Sequence, residues 1–369
     1  MREMRKMELD TPALLVDLER MEANMKAGQD FADSIGARLR PHIKTHRTPA
    51  IALKQLEKGA HGITVAKLGE AEVMADAGID DIFIANEIVG DVKLKRLRRL
   101  AGKVRLAVGV DHPLQVEGIS GFFMNEGKPM DVMIDVDTGD PRTGVQPGRP
   151  VLELARMVER SPGVNLRGIY THDGQTYEAH DVEEIREIFL KSQEQMLATA
   201  QLLRSEGIEF KEVSVGSTPS LLVGEPLEGV TEIRPGTYVF LDADQANVIG
   251  SYDRCALTVL ATVISRPTPE RVVLDTGTKA LTYFVQLEGI TRTPGYGVLK
   301  KYPEIRLYGL SDEHGCFIRP EGMEFNIGDK LEIIPNHACP TCNLYDRIFG
   351  VVKDEVVEEW PVLARGKSQ

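Results

Sequence analysis

The chain has 369 residues, 42% of them apolar and 27% charged, with a net charge of −12 and a pI near 5.3. This length favours one large α/β domain with a smaller companion over a single core. The acidic balance argues against non-specific binding to nucleic acid or anionic membrane, yet leaves room for a local basic pocket that takes a small anion.

In chain order, the opening "MREMRKMELD" is charged with no apolar run behind it, so no secretory leader is expected. No stretch approaches the roughly 18 apolar residues of a membrane span. The run "ALLVDL" predicts a strand that pairs with a second domain or starts an outer layer. Eight further strand candidates follow: 39–44, 62–67, 81–86, 104–111, 131–137, 166–172, 211–216 and 231–236. Helical patterns separate most of them, notably "TPAIALKQLEKG", "LGEAEVMADAG", "VGDVKLKRLRRLAG" and the long segment 181–206. Alternation of this kind predicts a parallel sheet, and eight units in about 200 residues fit a closed (β/α)8 TIM-type barrel. The open doubly wound sheet is the rival, but no G-x-G-x-x-G follows the first strand. Beyond residue 250 helical periodicity fades, and "CALTVLATVIS", "RVVLDTG", "KLEIIPN" and "RIFGVV" predict a C-terminal β-rich domain. The expected division is 1–250 and 251–369, with the first 25 or so residues pairing with the second domain. Cys255, Cys316, Cys339 and Cys342 are too few for a disulfide framework, and a cytoplasmic location is expected.

Barrel active sites lie just past the C-terminal strand ends. The first strand there ends in Lys44, the second in Lys67 and the third in Asn86. Arg142 follows the fifth strand and His172 ends the sixth. After the seventh and eighth come Gly216, Ser217 and Thr218, then Gly236, Thr237 and Tyr238. Loops at these last two positions often bind phosphate, because glycine admits close approach and consecutive N–H groups cup an anion. Ordinary strand-to-helix turns use the same residues, so spacing alone leaves both readings open. A strand-end lysine facing a phosphate cup suggests pyridoxal phosphate, whose aldehyde needs an amine. If 39–44 is a strand that continues, His42, Lys44 and His46 share one face.

Taken together, "DTPALLVDL", "PHIKTH", "DTGDPRTG", "THDGQTY", "RPGTYVFLD", "DEHG" and "PNHACPTCN" resemble the fold-type III pyridoxal-phosphate enzymes. Within these, nearly the whole chain is similar to the D-threonine aldolase and D-serine dehydratase family. The resemblance implies that Lys44 is the Schiff-base lysine and that the two glycine turns are the phosphate cup. It implies Arg142 near the cofactor's phenolic oxygen, and His172 against the pyridine ring with Tyr170 and Tyr177 close by. It also implies a divalent metal on His337 and Cys339, which on an extended segment face the same way. Imidazole and thiolate favour Zn²⁺ over Mn²⁺ or Mg²⁺, and a two-ligand site is open to a substrate hydroxyl. Cys342 competes as a ligand if Pro340 turns the chain, and Asp312, Glu313 or His314 are candidates to support the metal.

The implied reaction is lysis of a D-3-hydroxy amino acid by a homodimer. Expulsion of the hydroxyl would give a 2-oxoacid and ammonia; retro-aldol cleavage would give glycine and an aldehyde. The His-x-Cys pair and "THDGQTY" favour dehydration. A racemase would need a second base and no metal, and a non-catalytic pyridoxal-phosphate carrier would lack the β-rich domain.

Overall fold

The computed structural model describes residues 4–369. Strand β1 (Ala13–Asp17) leads directly into α1 (Leu18–Ser34), where the Asp17 carboxylate caps the helix by accepting from the Arg20 N–H. The following strands and helices alternate: β2 (Arg38–Leu39), α2 (Pro49–Glu57), β3 (Ile63–Val65), α3 (Leu68–Asp76), β4 (Asp81–Glu87), α4 (Asp91–Ala101), β5 (Arg105–Val110) and α5 (Pro113–Phe123). Then come β6 (Met130–Asp135), α6 (Arg149–Arg160), β7 (Val164–Tyr170), α7 (Val182–Ser205), β8 (Glu212–Val215), α8 (Thr218–Val223), β9 (Glu232–Ile233) and α9 (Ala243–Ile249).

Strands β2 to β9 form one parallel sheet in the order β2-β9-β8-β7-β6-β5-β4-β3. The sheet curls until its edges meet. Thr64 N–H donates to Pro41 O at 2.8 Å, and a single parallel bridge joins His42 to Thr64. The expected eight-stranded barrel is therefore present. Its strands are near-continuous apolar runs because helices cover one face and the barrel interior the other. Phe83, Ala107, Met133 and Tyr170 form a separate apolar cluster inside. Gly109 is required there, since a Cβ would collide with the Tyr170 hydroxyl. Deeper in the barrel, fully buried Arg40 reaches Glu232 at 2.7 Å and Asp81 at 2.6 Å, tying β2 to β9 and β4.

The first barrel strand departs from expectation. The 39–44 run does not finish as a strand: hydrogen bonds to the β9 segment continue past Leu39, from Arg40 N–H to Ile233 O and from His42 N–H to Pro235 O at 2.9 Å each, and Ile43–Thr45 then form a 3₁₀ turn. Pro41 has no N–H to donate, but its carbonyl accepts from Thr64, so the extended run ends only at the Ile43 turn. His46 consequently turns away from Lys44 into the core. Its ring accepts from Thr48 N–H at 3.1 Å and meets Gln55 Oε1 at 3.2 Å.

The remaining strands build a second sheet: β10 (Leu257–Ser265), β11 (Arg271–Leu274), β12 (Val298–Leu299), β13 (Tyr302–Arg306), β14 (Gly309–Leu310), β15 (Gly315–Ile318), β16 (Lys330–Ile334), β17 (Arg347–Val352) and β18 (Glu355–Pro361). Two short helices, α10 (Thr278–Leu281) and α11 (Ala338–Cys342), interrupt it. Strand β1 lies in the middle of this sheet, antiparallel to β10 and parallel to β17. Both chain halves are thus stitched together, and α11 is brought against the C-terminal mouth of the barrel.

Candidate active site

A cavity of about 230 Å³ opens at the C-terminal ends of the barrel strands. His42 and Lys44 enter it from the 3₁₀ turn after β2, and Ala66 from the corner after β3. Burial pushes the Lys44 amine below its ordinary value; Arg142 and Arg234 add to this while Cys339 opposes it. Lys44 is thereby biased toward the neutral, nucleophilic form. His42 Nδ1 accepts from the Lys44 N–H at 3.4 Å, and burial keeps its ring neutral. Lys67, at the start of α3, does not line the cavity.

Across from the lysine stand His172 and Tyr177, their ring centroids 6.3 Å apart. Burial, reinforced by Lys44, holds His172 well below the usual imidazole range. Tyr170 lines the floor, and Arg142 reaches in from a half-open loop beside Asp140. Gly216, Ser217 and Thr218 form the turn into α8, with Gly216 at φ +106. The Ser217 hydroxyl is engaged with Ser220 and Thr176, whereas the buried Thr218 Oγ1 has no partner. Gly236 and Thr237 close the opposite side, and a Cβ on Gly236 would lie 3.1 Å from Thr45 Oγ1.

Tyr238 joins the turn through its backbone, while its side chain goes elsewhere. Its side chain is not in the cup; it is buried behind the site, where its hydroxyl accepts from Gln55 Nε2 at 3.0 Å. His46, Gln55 and Tyr238 therefore form one polar chain in the core. Three charged residues that the sequence did not single out also line the cavity: Glu87, Asp135 and Arg234. Arg234 is fixed by Ser214 Oγ and Thr171 O and lies 5.1 Å from the Tyr170 ring. It stands immediately before the "PGTY" turn, and that adjacency was the available signal.

The second constellation surrounds α11. His337 and Cys339 do come together, although not on a strand. His337 is the extended residue that starts the helix, and Cys339 lies in its first turn within hydrogen-bonding reach. His337 Nδ1 lies 3.4 Å from Asp244 and 3.5 Å from Asp242. Asp242 caps α9 through the Gln245 N–H and also accepts from the Ala338 N–H at 2.7 Å, joining α9 to α11. Asp244 keeps one buried oxygen without a partner. Asp242, Asp244 and His337 are close enough to share an ion through those atoms. With Nδ1 facing two carboxylates, His337 leaves Nε2 free as a ligand beside Cys339, a common support for a metal-bound imidazole. Burial resists ionisation of Cys339, but the adjacent His337 imidazolium, then Lys44 and Thr45, pull its thiol down to about 6. Cys342 is fully buried, and burial, with Cys339 and Asp242 acting on it, raises its thiol. Asp312, Glu313 and His314 are exposed and occupy a loop against α10, where Glu313 pairs with Lys279 at 2.7 Å.

The two constellations touch. Thr45 Oγ1 lies 3.3 Å from Cys339 Sγ and Thr237 Oγ1 3.8 Å, so the thiol abuts both the lysine turn and the β9 turn. Residues 16–244 match the family model of the alanine racemase N-terminal domain, and 256–351 that of a putative serine dehydratase domain. The chain is 37% identical to the D-threonine aldolase of Arthrobacter sp., over 98% of this chain and 94% of that one. The chain belongs to the D-threonine aldolase and D-serine dehydratase family. Aldolases and dehydratases are lyases, and family membership makes this chain an alanine racemase-like barrel of the pyridoxal-phosphate class. A crystal structure of D-threonine aldolase from Filomicrobium marinum superposes with a TM-score of 0.90 at 34% identity, covering 100% of each chain. A cysteine-to-alanine mutant of a D-threo-3-hydroxyaspartate dehydratase, solved in a metal-free form, gives 0.89 at 32%, covering 97% of this chain and 99% of that one.

Proposed function

We propose that this protein is a pyridoxal-phosphate- and divalent-metal-dependent lyase of D-3-hydroxy amino acids, acting chiefly by eliminating the hydroxyl group to give a 2-oxoacid and ammonia. The observation that carries this reading is the contact between the two constellations: the Cys339 thiol lies 3.3 Å from Thr45, the residue after Lys44.

The residues fit the cofactor. Lys44 supplies a buried amine, Gly216 and Gly236 leave room for close backbone approach, and the unpartnered Thr218 hydroxyl is ready for a phosphate oxygen. When bound, pyridoxal phosphate withdraws electrons from the substrate's Cα and labilises its bonds. Lys44, its amine shifted toward the neutral form by burial, accepts and returns protons on its side of the pocket. His172 and Tyr177 form an apolar and aromatic wall that orients the ring. Arg234 places a permanent cation on the floor, and Arg142 places a second cation at the rim, where it suits an anionic oxygen.

The donor set also fits a metal. His337 Nε2 and the Cys339 thiolate are the ligands in this reading, with Asp244 and Asp242 orienting the imidazole. That pair favours zinc, with Mn²⁺ and Mg²⁺ the alternatives. A divalent ion there supplies Lewis acidity to a substrate hydroxyl.

Retro-aldol cleavage to glycine and an aldehyde is the second reading, favoured by the 37% identity to a D-threonine aldolase. Racemisation is remote, because a racemase has no use for a metal pair beside its lysine. A homodimer is part of the proposal: Tyr283, Leu287 and Tyr308 are exposed near Phe284, whose ring lies 4.8 Å from that of His337. A second copy covering them would close the mouth. The proposed domain division is 1–250 and 251–369, and the proposed location is cytoplasmic. Among the described residues no helix is long and apolar enough to cross a membrane. Incubation of the cofactor-loaded protein with D-threonine and D-serine, with zinc or manganese, tests the reaction. A 2-oxoacid with ammonia supports elimination, glycine with acetaldehyde supports retro-aldol cleavage, and turnover of neither refutes the lyase reading.

A further inference from the structure

We propose that Arg47 is a positioning residue: a Glu70–Arg47–Asn343 brace holds the Lys44 turn and the Cys339 helix in register. The inference rests on the functional reading above for its catalytic consequence, though not for its geometry. Arg47 has φ +52, a left-handed backbone that non-glycine residues rarely adopt. Its N–H donates to Ile43 O at 2.8 Å, closing the turn that carries Lys44.

Its guanidinium spans two partners. Nη1 donates to Asn343 Oδ1 at 2.8 Å, and Nη2 lies 2.9 Å from Glu70 Oε1. Glu70 is fully buried, and its other oxygen accepts from the N–H groups of Ala66 at 2.6 Å and Lys67 at 3.1 Å. Ala66 lines the cavity. Asn343 terminates α11, four residues after Cys339, and its Oδ1 also accepts from Gly366 N–H at 2.8 Å. The carbonyl of Arg47 accepts from Ala364 N–H at 3.1 Å. One residue, through backbone and side chain, therefore ties together the lysine turn, the corner after β3, the helix bearing the thiol and the C-terminal segment. Two elements from different sheets keep their spacing only if something bridges them. Thr45 and Cys339 touch at one point, which fixes a distance, whereas the forked arginine adds the second point that fixes orientation. Lysine keeps the charge opposite Glu70 but lacks the planar fork needed to hold Asn343 as well.

The test compares Arg47→Lys and Asn343→Ala with the wild-type holoenzyme. Hydrogen exchange is expected to rise in both 43–47 and 338–343 in either variant, although each variant alters only one segment. Zinc affinity, read by competition with a chromophoric chelator, is expected to weaken about 10-fold or more, as for other groups that orient metal ligands. The kcat is expected to fall about 10-fold or more with KM within about twofold, since misplaced catalytic groups cost rate more than binding. Asn343→Ala removes no charge, so it reports even where Arg47→Lys folds poorly. Exchange that rises only in the mutated segment, or kcat and zinc affinity within about twofold of wild type, overturns the brace. A wild-type protein that takes up neither cofactor nor metal refutes the functional reading instead, and the exchange comparison still decides the brace.

Discussion

Replacing His337 by asparagine keeps a polar side chain but removes the cation beside Cys339. In the metal-free protein, the fall of the Cys339 thiol from 9.0 to about 6 corresponds to about 4 kcal/mol of preference for the thiolate. Burial acts against that preference, and the His337 imidazolium is the largest favourable contribution, ahead of Lys44. Without it, burial dominates and the thiol should titrate above 9, as buried Cys342 already does. The assay is alkylation of chelator-treated protein across pH 4.5 to 10, with the Cys339 peptide quantified by mass spectrometry. The midpoint is the proper readout, because at one pH a rising intrinsic nucleophilicity offsets a falling thiolate fraction. The wild type should show a midpoint near 6 and His337→Asn one above 9. A wild-type midpoint near 9, or a variant midpoint still near 6, would refute the ion-pair reasoning. The Cys316 peptide serves as an internal control, since its half-buried thiol is raised by burial and has no histidine partner.

Lys44→Ala should abolish the borohydride-reducible link to the cofactor; peptide mapping that finds the link intact at Lys67 would move the assignment. Glu332 is held by Lys6 and Lys300, each at 2.8 Å, and its carboxyl is lowered from 4.5 to about 2 against the opposing effect of burial. A depressed carboxyl stabilises the fold above its unfolded value and loses that contribution as pH falls through its folded value. Glu332→Gln should therefore cost about 3 kcal/mol at pH 7, with the gap closing between about pH 4.5 and pH 2; urea titrations at pH 7 and pH 3 check it. Gly28 lies in α1, where a Cβ would sit 2.6 Å from the buried Tyr238 ring. Gly28→Ala should lower stability by about 1 to 3 kcal/mol in thermal melts, because the ring is pinned by Gln55 and cannot retreat freely.

Much of the fold was legible because its signals are local. A parallel strand buried on both faces must be a short apolar run, so "DIFIAN" and "DVMIDVD" announced β4 and β6 directly. The segment around Lys44 was less legible, since a β-branched pattern does not reveal where hydrogen bonding stops. The Ile43–Thr45 turn separates His46 from the lysine, although strand alternation would have kept them together.

The sequence by itself determined the barrel, the strand-end lysine, the glycine turns and the His-x-Cys pair, because each is written in adjacent residues and obeys a short period. Only the tertiary structure decided which distant groups meet. Asp242 and Asp244 precede His337 by more than 90 residues, yet they fix its imidazole because Asp242 caps both α9 and α11. Tyr238 belongs to the "PGTY" turn but faces Gly28, because a 3₁₀ turn redirects its side chain into the core. Arg47 and Asn343 are nearly 300 positions apart and share one hydrogen bond. Long-range pairing is set by how β1 crosses into the second sheet and how α11 docks on the barrel mouth, and no local pattern encodes that docking.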